Sequence, residues 1–189
     1  LILYIFLFYA YNFFLKKKKY LDIILLISFY LTRVAYGAEI SSVTLTYEFF
    51  AFFGAIFSFL AIGKRIIQIN TNKLNIRNSI ISYTSKDINN LKHVMNLSFW
   101  FSLIIFAIYG LQNYFYLDQI TVNNNYLMTN NIVIFFIEFV IISLNFYRLK
   151  IMFEKNQIKE DIFIYVVKDK VLIISTIISL ALIITGRII

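Results

Sequence analysis

Long apolar runs, not alternation, organise this chain. Hydrophobic stretches occupy 1–15, 20–37, 43–63, 95–117, 131–147 and 171–189. A bilayer core of about 30 Å asks for about 20 apolar residues per helix. The first run is the short one, reaching about 22 Å at 1.5 Å per residue, and Lys16 to Lys19 behind it can extend its reach by snorkelling. The pattern predicts an all-α, polytopic integral membrane protein of about six transmembrane helices, forming one transmembrane domain over 1–189. A membrane β-barrel is not expected, because its strands alternate apolar and polar residues, whereas Ile132 to Ile137 and Val171 to Ile174 are unbroken apolar runs. The first run is not a secretory signal either, since a signal carries its positive charges before the apolar stretch.

The segments between the runs differ in kind. Residues 70–92 are rich in Asn, Ser and Lys and read as a polar connection. Residues 118–130 hold Asn123, Asn124 and Asn125 and no positive charge. Residues 151–167 set Ile151, Met152, Phe153, Ile158, Ile162, Phe163 and Tyr165 against Glu154, Lys155, Lys159 and Glu160, which predicts an interfacial amphipathic helix. No internal repeat or domain linker is visible.

Charge turns this pattern into a topology. Of the 18 Lys and Arg residues, all but Arg33 and Arg187 fall in 16–19, 64–94 and 148–170, which six alternating spans put on one side. A miscounted span would scramble that sorting. By the positive-inside rule the basic side faces a bacterial cytoplasm or a mitochondrial matrix, with both termini on the other side. The net charge of +8 is therefore a topology signal and implies no nucleic-acid partner. It does favour anionic lipids, such as cardiolipin, at the basic side.

Composition narrows the class further. Hydrophobic residues make 60% of the chain and charged ones 15%, against roughly 25% charged in soluble domains. A water-soluble globule and a disordered chain are both excluded. The absence of Cys removes disulfides, iron–sulfur clusters and thiolate zinc sites. Ile 36, Asn 16 and Lys 13 stand against Gly 5, Ala 8, Arg 5 and Pro 0. No physical property joins Ile, Asn and Lys, but A+T-rich codons do. The chain also starts with Leu, so its start is either trimmed or non-standard. Together these features point to an A+T-rich organelle genome, with an A+T-rich bacterium as the alternative.

Candidate chemistry rests on ionisable groups inside spans, each of which costs about 2.5–3.5 kcal/mol at a helix centre. Glu138 lies near the middle of the fifth span, Glu48 one to two turns into the third, and Arg33 near an end of the second. Glu138 and Glu48 are proton-path candidates, and Arg33 is a candidate intramembrane charge partner. Three readings of Glu138 stay open: a neutral acid hydrogen-bonded to a neighbour, a partner for a cation on another chain, or a proton carrier. Ser143 and Asn145 suit interhelical hydrogen bonds. His93 is the single histidine, which excludes bis-histidine haem, and Trp100 suits an interface anchor. Gly54 and Ala55 in the third span are helix-distortion candidates, as a packing notch or a local break. No nucleophile–base pair, P-loop, dinucleotide turn or metal motif is present, so an autonomous enzyme is not expected and no cofactor is assigned to the chain alone.

The third span carries a resemblance. Glu48, Gly54, Ala55, Ile56, Phe59 and Leu60 fall at the spacing of the third helix in subunit six of respiratory complex I, the NADH:ubiquinone oxidoreductase. The similarity covers roughly residues 20–62. It departs from the family's pattern of five spans, from its Asn-Pro turn, here replaced by Lys16 to Lys19, and from its Val-Tyr pair, here Phe52-Phe53. The resemblance implies a mitochondrial inner-membrane subunit whose basic loops lie in the matrix. Its neighbours would be other respiratory-complex subunits and the lipid bilayer. Its third helix would carry a π-bulge near Gly54 and Ala55 that couples quinone reduction to proton translocation. Two other expectations stand beside it. One is a scaffold subunit of cytochrome c oxidase or ATP synthase with no direct chemistry. The other is an independent channel or carrier, although the inverted repeats usual in carriers are not visible.

Overall fold

A computed structural model describes residues 18–72, 83–84, 86–120, 125–155, 158 and 162–188, together with Ile5, Phe8, Tyr9, Tyr11 and Phe13. Side chains are described for these except at 71, 72, 113–120, 125–132, 163 and 183–188. The described elements are all helices: α1 (Leu21–Ile40), α2 (Tyr47–Asn72), α3 (Asp87–Ile120), α4 (Asn125–Glu154), α5 (Ile162–Lys168) and α6 (Lys170–Ile188). Three are long and apolar enough to cross a membrane, over Leu21–Ile40, Tyr47–Asn70 and Asp87–Gln112, and a shorter apolar helix covers Lys170–Leu182. The predicted runs 131–147 and 171–189 fall on α4 and α6, while the first, 1–15, lies largely outside the described residues.

The helices outrun the apolar segments that predict them. With no proline to stop it, α2 continues past Gly63 through Lys64 and Arg65, both good helix formers, to Asn72. Its 26 residues span about 39 Å. α3 adds two polar turns, Asp87 to His93, ahead of its apolar stretch. The 118–130 connection is shorter than expected, because α3 runs to Ile120 and α4 starts at Asn125. The interfacial helix expected over 151–167 is not a single helix. Ile151 to Glu154 close α4, Lys155 forms a turn, and α5 begins only at Ile162. Met152, Phe153, Ile158 and Ile162 are buried within the protein, so this part of the apolar set is spent on the fold rather than on a membrane surface.

The chain divides into two compact units, Leu1–Ser102 and Leu103–Ile189. In the first, α1 and α2 form an antiparallel hairpin across 41–46. Backbone closures from Ser41 N–H to Gly37 O and Val43 N–H to Ala38 O end α1, with Ser42 in the left-handed region at φ 53, a common way to stop a helix. Thr46 opens α2 by accepting the Phe49 N–H at 3.3 Å. The core gathers toward the lysine-run end, where Phe59, Ile62, Ile66, Leu91 and Met95 are buried and the Phe59 and Phe99 rings lie 6.3 Å apart. In the second unit α4, α5 and α6 bury Leu149, Phe153, Ile158 and Leu172, and Phe106 stacks on Phe139 at 6.0 Å and 7°.

What stays outside is as apolar as what is buried. On α3, Leu97, Trp100, Phe101, Ile104, Ile108 and Leu111 are exposed, and on α4 so are Val133, Phe136, Ile137, Val140, Leu144 and Tyr147. Both sets recur at i, i+3, i+4, i+7, i+11 and i+14. Each is one helical face, and such faces mark lipid or partner contact, not water.

Candidate functional site

The most built polar site belongs to the first unit. Asp22 lies one residue into α1 and Arg65 about two turns before the end of α2, so the antiparallel hairpin brings them together. The same register sets Tyr30 against Phe57, with rings stacked 5.0 Å apart. Asp22 Oδ2 and Arg65 Nε form an ion pair; Asp22 is fully buried and Arg65 is 5% exposed. The Tyr83 hydroxyl donates to Asp22 Oδ1 at 2.7 Å and accepts the Tyr20 backbone N–H at 2.6 Å. Arg65 also donates to the Tyr11 hydroxyl at 3.1 Å and to Gln68 Oε1. Burial, then the bond to Asp22, pushes the Tyr83 phenol above its ordinary range. Tyr20 holds φ 64, an uncommon conformation for a bulky residue, and its bond to Tyr83 helps hold it there. Beside the cluster, Lys19 Nζ donates to Asp87 Oδ2 at 2.8 Å, and that oxygen also accepts the Thr84 N–H and hydroxyl.

This arrangement can hold charge in a dry place and lock the ends of α1 and α2. A buried pair of this kind seldom adds net stability, yet removing one partner strands the other. A hydropathy boundary at Gly63 places Arg65 in a loop and leaves Asp22 beside the lysine run. That is why span-by-span reading misses the pair. Hairpin register is the usable signal, because Asp22 and Arg65 sit equally far from the 41–46 turn.

The second site is a single group. Glu138 on α4 is 8% exposed, and its Oε1 has no hydrogen-bond partner among the described residues. Native proteins rarely leave a buried acid in that state, and each case calls for an explanation. Its neighbourhood is aromatic: Phe135 and Phe139, on either side of it along the helix, both meet the Phe106 ring. Ser143 does not help, since its hydroxyl donates to its own helix at Phe139 O. Asn145 Oδ1 accepts the Ser175 hydroxyl at 2.7 Å, an interhelical bond between α4 and α6.

Glu48 is half-buried in the first turn of α2, where a negative charge complements the helix dipole. Arg33 is exposed and lies over the Tyr30 ring at 5.8 Å. Ala55 is buried. α2 is regularly α-helical through Gly54 and Ala55, and a Cβ at Gly54 would meet only Leu31 Cδ1, at 3.9 Å. Gly54 is therefore no tight notch. A tight glycine is Gly110 on α3, buried, where a Cβ would collide with the Phe135 ring. Glu48 and Arg33 belong to the first unit and Glu138 to the second. Among the described residues no three His, Cys, Asp or Glu side chains gather as metal ligands. No protein-family model and no curated protein matches the chain.

Proposed function

We propose that the chain is an integral membrane subunit of a mitochondrial respiratory complex, best identified with the complex I membrane arm. It would cross the inner membrane six times with its basic loops in the matrix. The observation that carries the reading is Glu138: a buried carboxyl with an unsatisfied oxygen, on a helix whose next face is an exposed apolar stripe, asks for a partner beyond this chain. The sorting of the lysines and arginines, the A+T-driven composition and the Glu48 to Leu60 spacing support the respiratory assignment. Depleting the chain is expected to lower assembled NADH:ubiquinone oxidoreductase and NADH-driven respiration while succinate-driven respiration continues. Unchanged NADH-driven respiration would overturn the assignment.

A second reading keeps the membership and removes the coupling role. It is favoured by the regular helix through Gly54, which carries no π-turn. The chain would then be a scaffold, in complex I or in cytochrome c oxidase or ATP synthase. Glu138→Gln separates the two. A coupling role predicts normal assembly with lost proton translocation, and a scaffold role predicts normal assembly with turnover intact.

A further inference from the structure

We propose that the α4–α6 groove of the second unit takes in water from its Arg148–Asp169 end and passes protons to Glu138 through Asn145, Ser175 and Ser179. The proposal rests on the coupling reading of Glu138 and supplies the route that this reading requires. Glu138, Ile142, Asn145 and Leu149 recur at i, i+4, i+7 and i+11 and so form one stripe of α4. Asn145 Oδ1 accepts the Ser175 hydroxyl at 2.7 Å, which turns this stripe toward α6, while Phe135 and Phe139 meet α3 at Phe106. Facing the stripe on α6 are Leu172, Ser175 and Ser179, each buried or half-buried. The groove between the helices has a volume of about 410 Å³, and Ile142, Asn145, Leu149, Leu172, Thr176 and Ser179 are among its lining residues.

The groove offers water both room and partners. One water takes a share of about 30 Å³ and needs two to four polar partners. Asn145 accepts from Ser175 through Oδ1 and keeps its amide N–H groups to donate. The Thr176 hydroxyl donates to Ile173 O and keeps its lone pairs, and the Ser179 hydroxyl can do both. Their spacing leads to Glu138. Asn145 and Ser175 stand level, because they are bonded, and the helices run antiparallel. Glu138 lies about 10 Å deeper along α4 and Ser179 about 6 Å deeper along α6. The last step is therefore about 4–5 Å along the axes, within reach of one bridging water. It ends at Glu138 Oε1, which is buried and has no hydrogen-bond partner among the described residues. At the other end Arg148, half-exposed, bonds Asp169 at 3.0 Å, so the groove begins at charges that hold water. A proton reaching Oε1 gives the neutral acid and its release restores the carboxylate. Water and hydroxyls between exchange O–H bonds, and nothing is consumed. A lipid tail would fill the apolar part of the groove but leave Oε1 unpaired.

The chain has no cysteine, so single-cysteine variants of the full chain carry no background thiol. Ser179→Cys lies in the groove, and Val140→Cys lies at a similar depth on the exposed apolar face of α4. Both are reconstituted into phosphatidylcholine vesicles and treated with a small water-soluble methanethiosulfonate. Ser179→Cys is expected to react at least tenfold faster than Val140→Cys, and Asn145→Leu with Ser175→Leu should remove that advantage. Equal rates overturn the proposal, because the groove is then dry or filled with lipid. An advantage that survives the Asn145 and Ser175 changes overturns the route, because water then enters elsewhere. The unaltered chain gives a second reading that needs no variant to fold in the groove. At about pH 4, where an ordinary Glu carboxyl is largely protonated, infrared spectra identify the Glu138 band by its loss in Glu138→Gln. That band should shift within seconds of transfer to heavy water, and a shift taking hours overturns the proposal. Both readings are made on the chain by itself, so they fail separately from its assignment to a respiratory complex.

Discussion

Asp22 and Glu138 are both buried carboxylates, and the chain treats them oppositely. Asp22 is surrounded by Arg65 and Tyr83, whereas Glu138 has an oxygen with no partner among the described residues. Arg65→Met should destabilise the chain by about 3–5 kcal/mol, because it leaves Asp22 buried and unpaired, while Arg65→Met combined with Asp22→Leu should recover most of the loss. Unfolding in detergent, followed by circular dichroism for the single and double variants, reads this directly. Glu138→Leu should behave the other way. In the isolated chain it removes a desolvated polar group that costs about 1–3 kcal/mol, so the unfolding midpoint rises, and in the membrane the same change weakens assembly. Glu138 is legible in the sequence, since any acid in the middle of an apolar run stands out. Asp22 is not, because it sits just inside the start of the 20–37 run, beside the lysines, and its partner Arg65 lies beyond the end of the 43–63 run.

At the scale of elements, the glycines separate expectation from outcome. Gly54 stands out in the sequence because proline is absent and a break has to come from somewhere. In the structure Gly54 is a helical residue with room beside it, whereas Gly110 is pressed against a ring. Gly54→Ala is expected to be neutral or to stabilise by about 0.5–1 kcal/mol, and Gly110→Ala to destabilise by about 1–3 kcal/mol; thermal unfolding of the two variants side by side checks the contrast. Apolar runs locate the long helices but not their ends, because helices stop at backbone closures such as Ser41–Ser42 and not where hydropathy falls. The junction of α5 and α6 shows the same logic. Asp169 accepts the N–H groups of Val171 and Leu172 and the Arg148 guanidinium. Burial opposes its ionisation, but these bonds outweigh it and hold the carboxyl below its ordinary range. With its folded value depressed, its contribution is complete above the unfolded value of about 4 and fades as pH falls through the lower folded one. The unfolding midpoint should therefore drop on acidification below about pH 4, and Asp169→Asn should flatten that part of the profile.

On the scale of the whole molecule, the defining property is an apolar exterior. The faces carried by Leu97 to Leu111 and Val133 to Tyr147 are apolar surface, and Glu138 is a buried acid with one oxygen unpartnered among the described residues. The first of these is already announced by composition, because a chain that is 60% hydrophobic has too few polar residues to cover itself. The proposed partner subunits would decide which of these faces meet lipid and which meet protein. A subunit completed by partners, as proposed, should betray itself in its native size. Inner membranes are solubilised in digitonin, separated by native electrophoresis, and searched slice by slice for peptides of this chain. The peptides should peak in a large assembly together with NADH:ubiquinone oxidoreductase subunits. Migration of the chain by itself, as a monomer or a homo-oligomer, would contradict it.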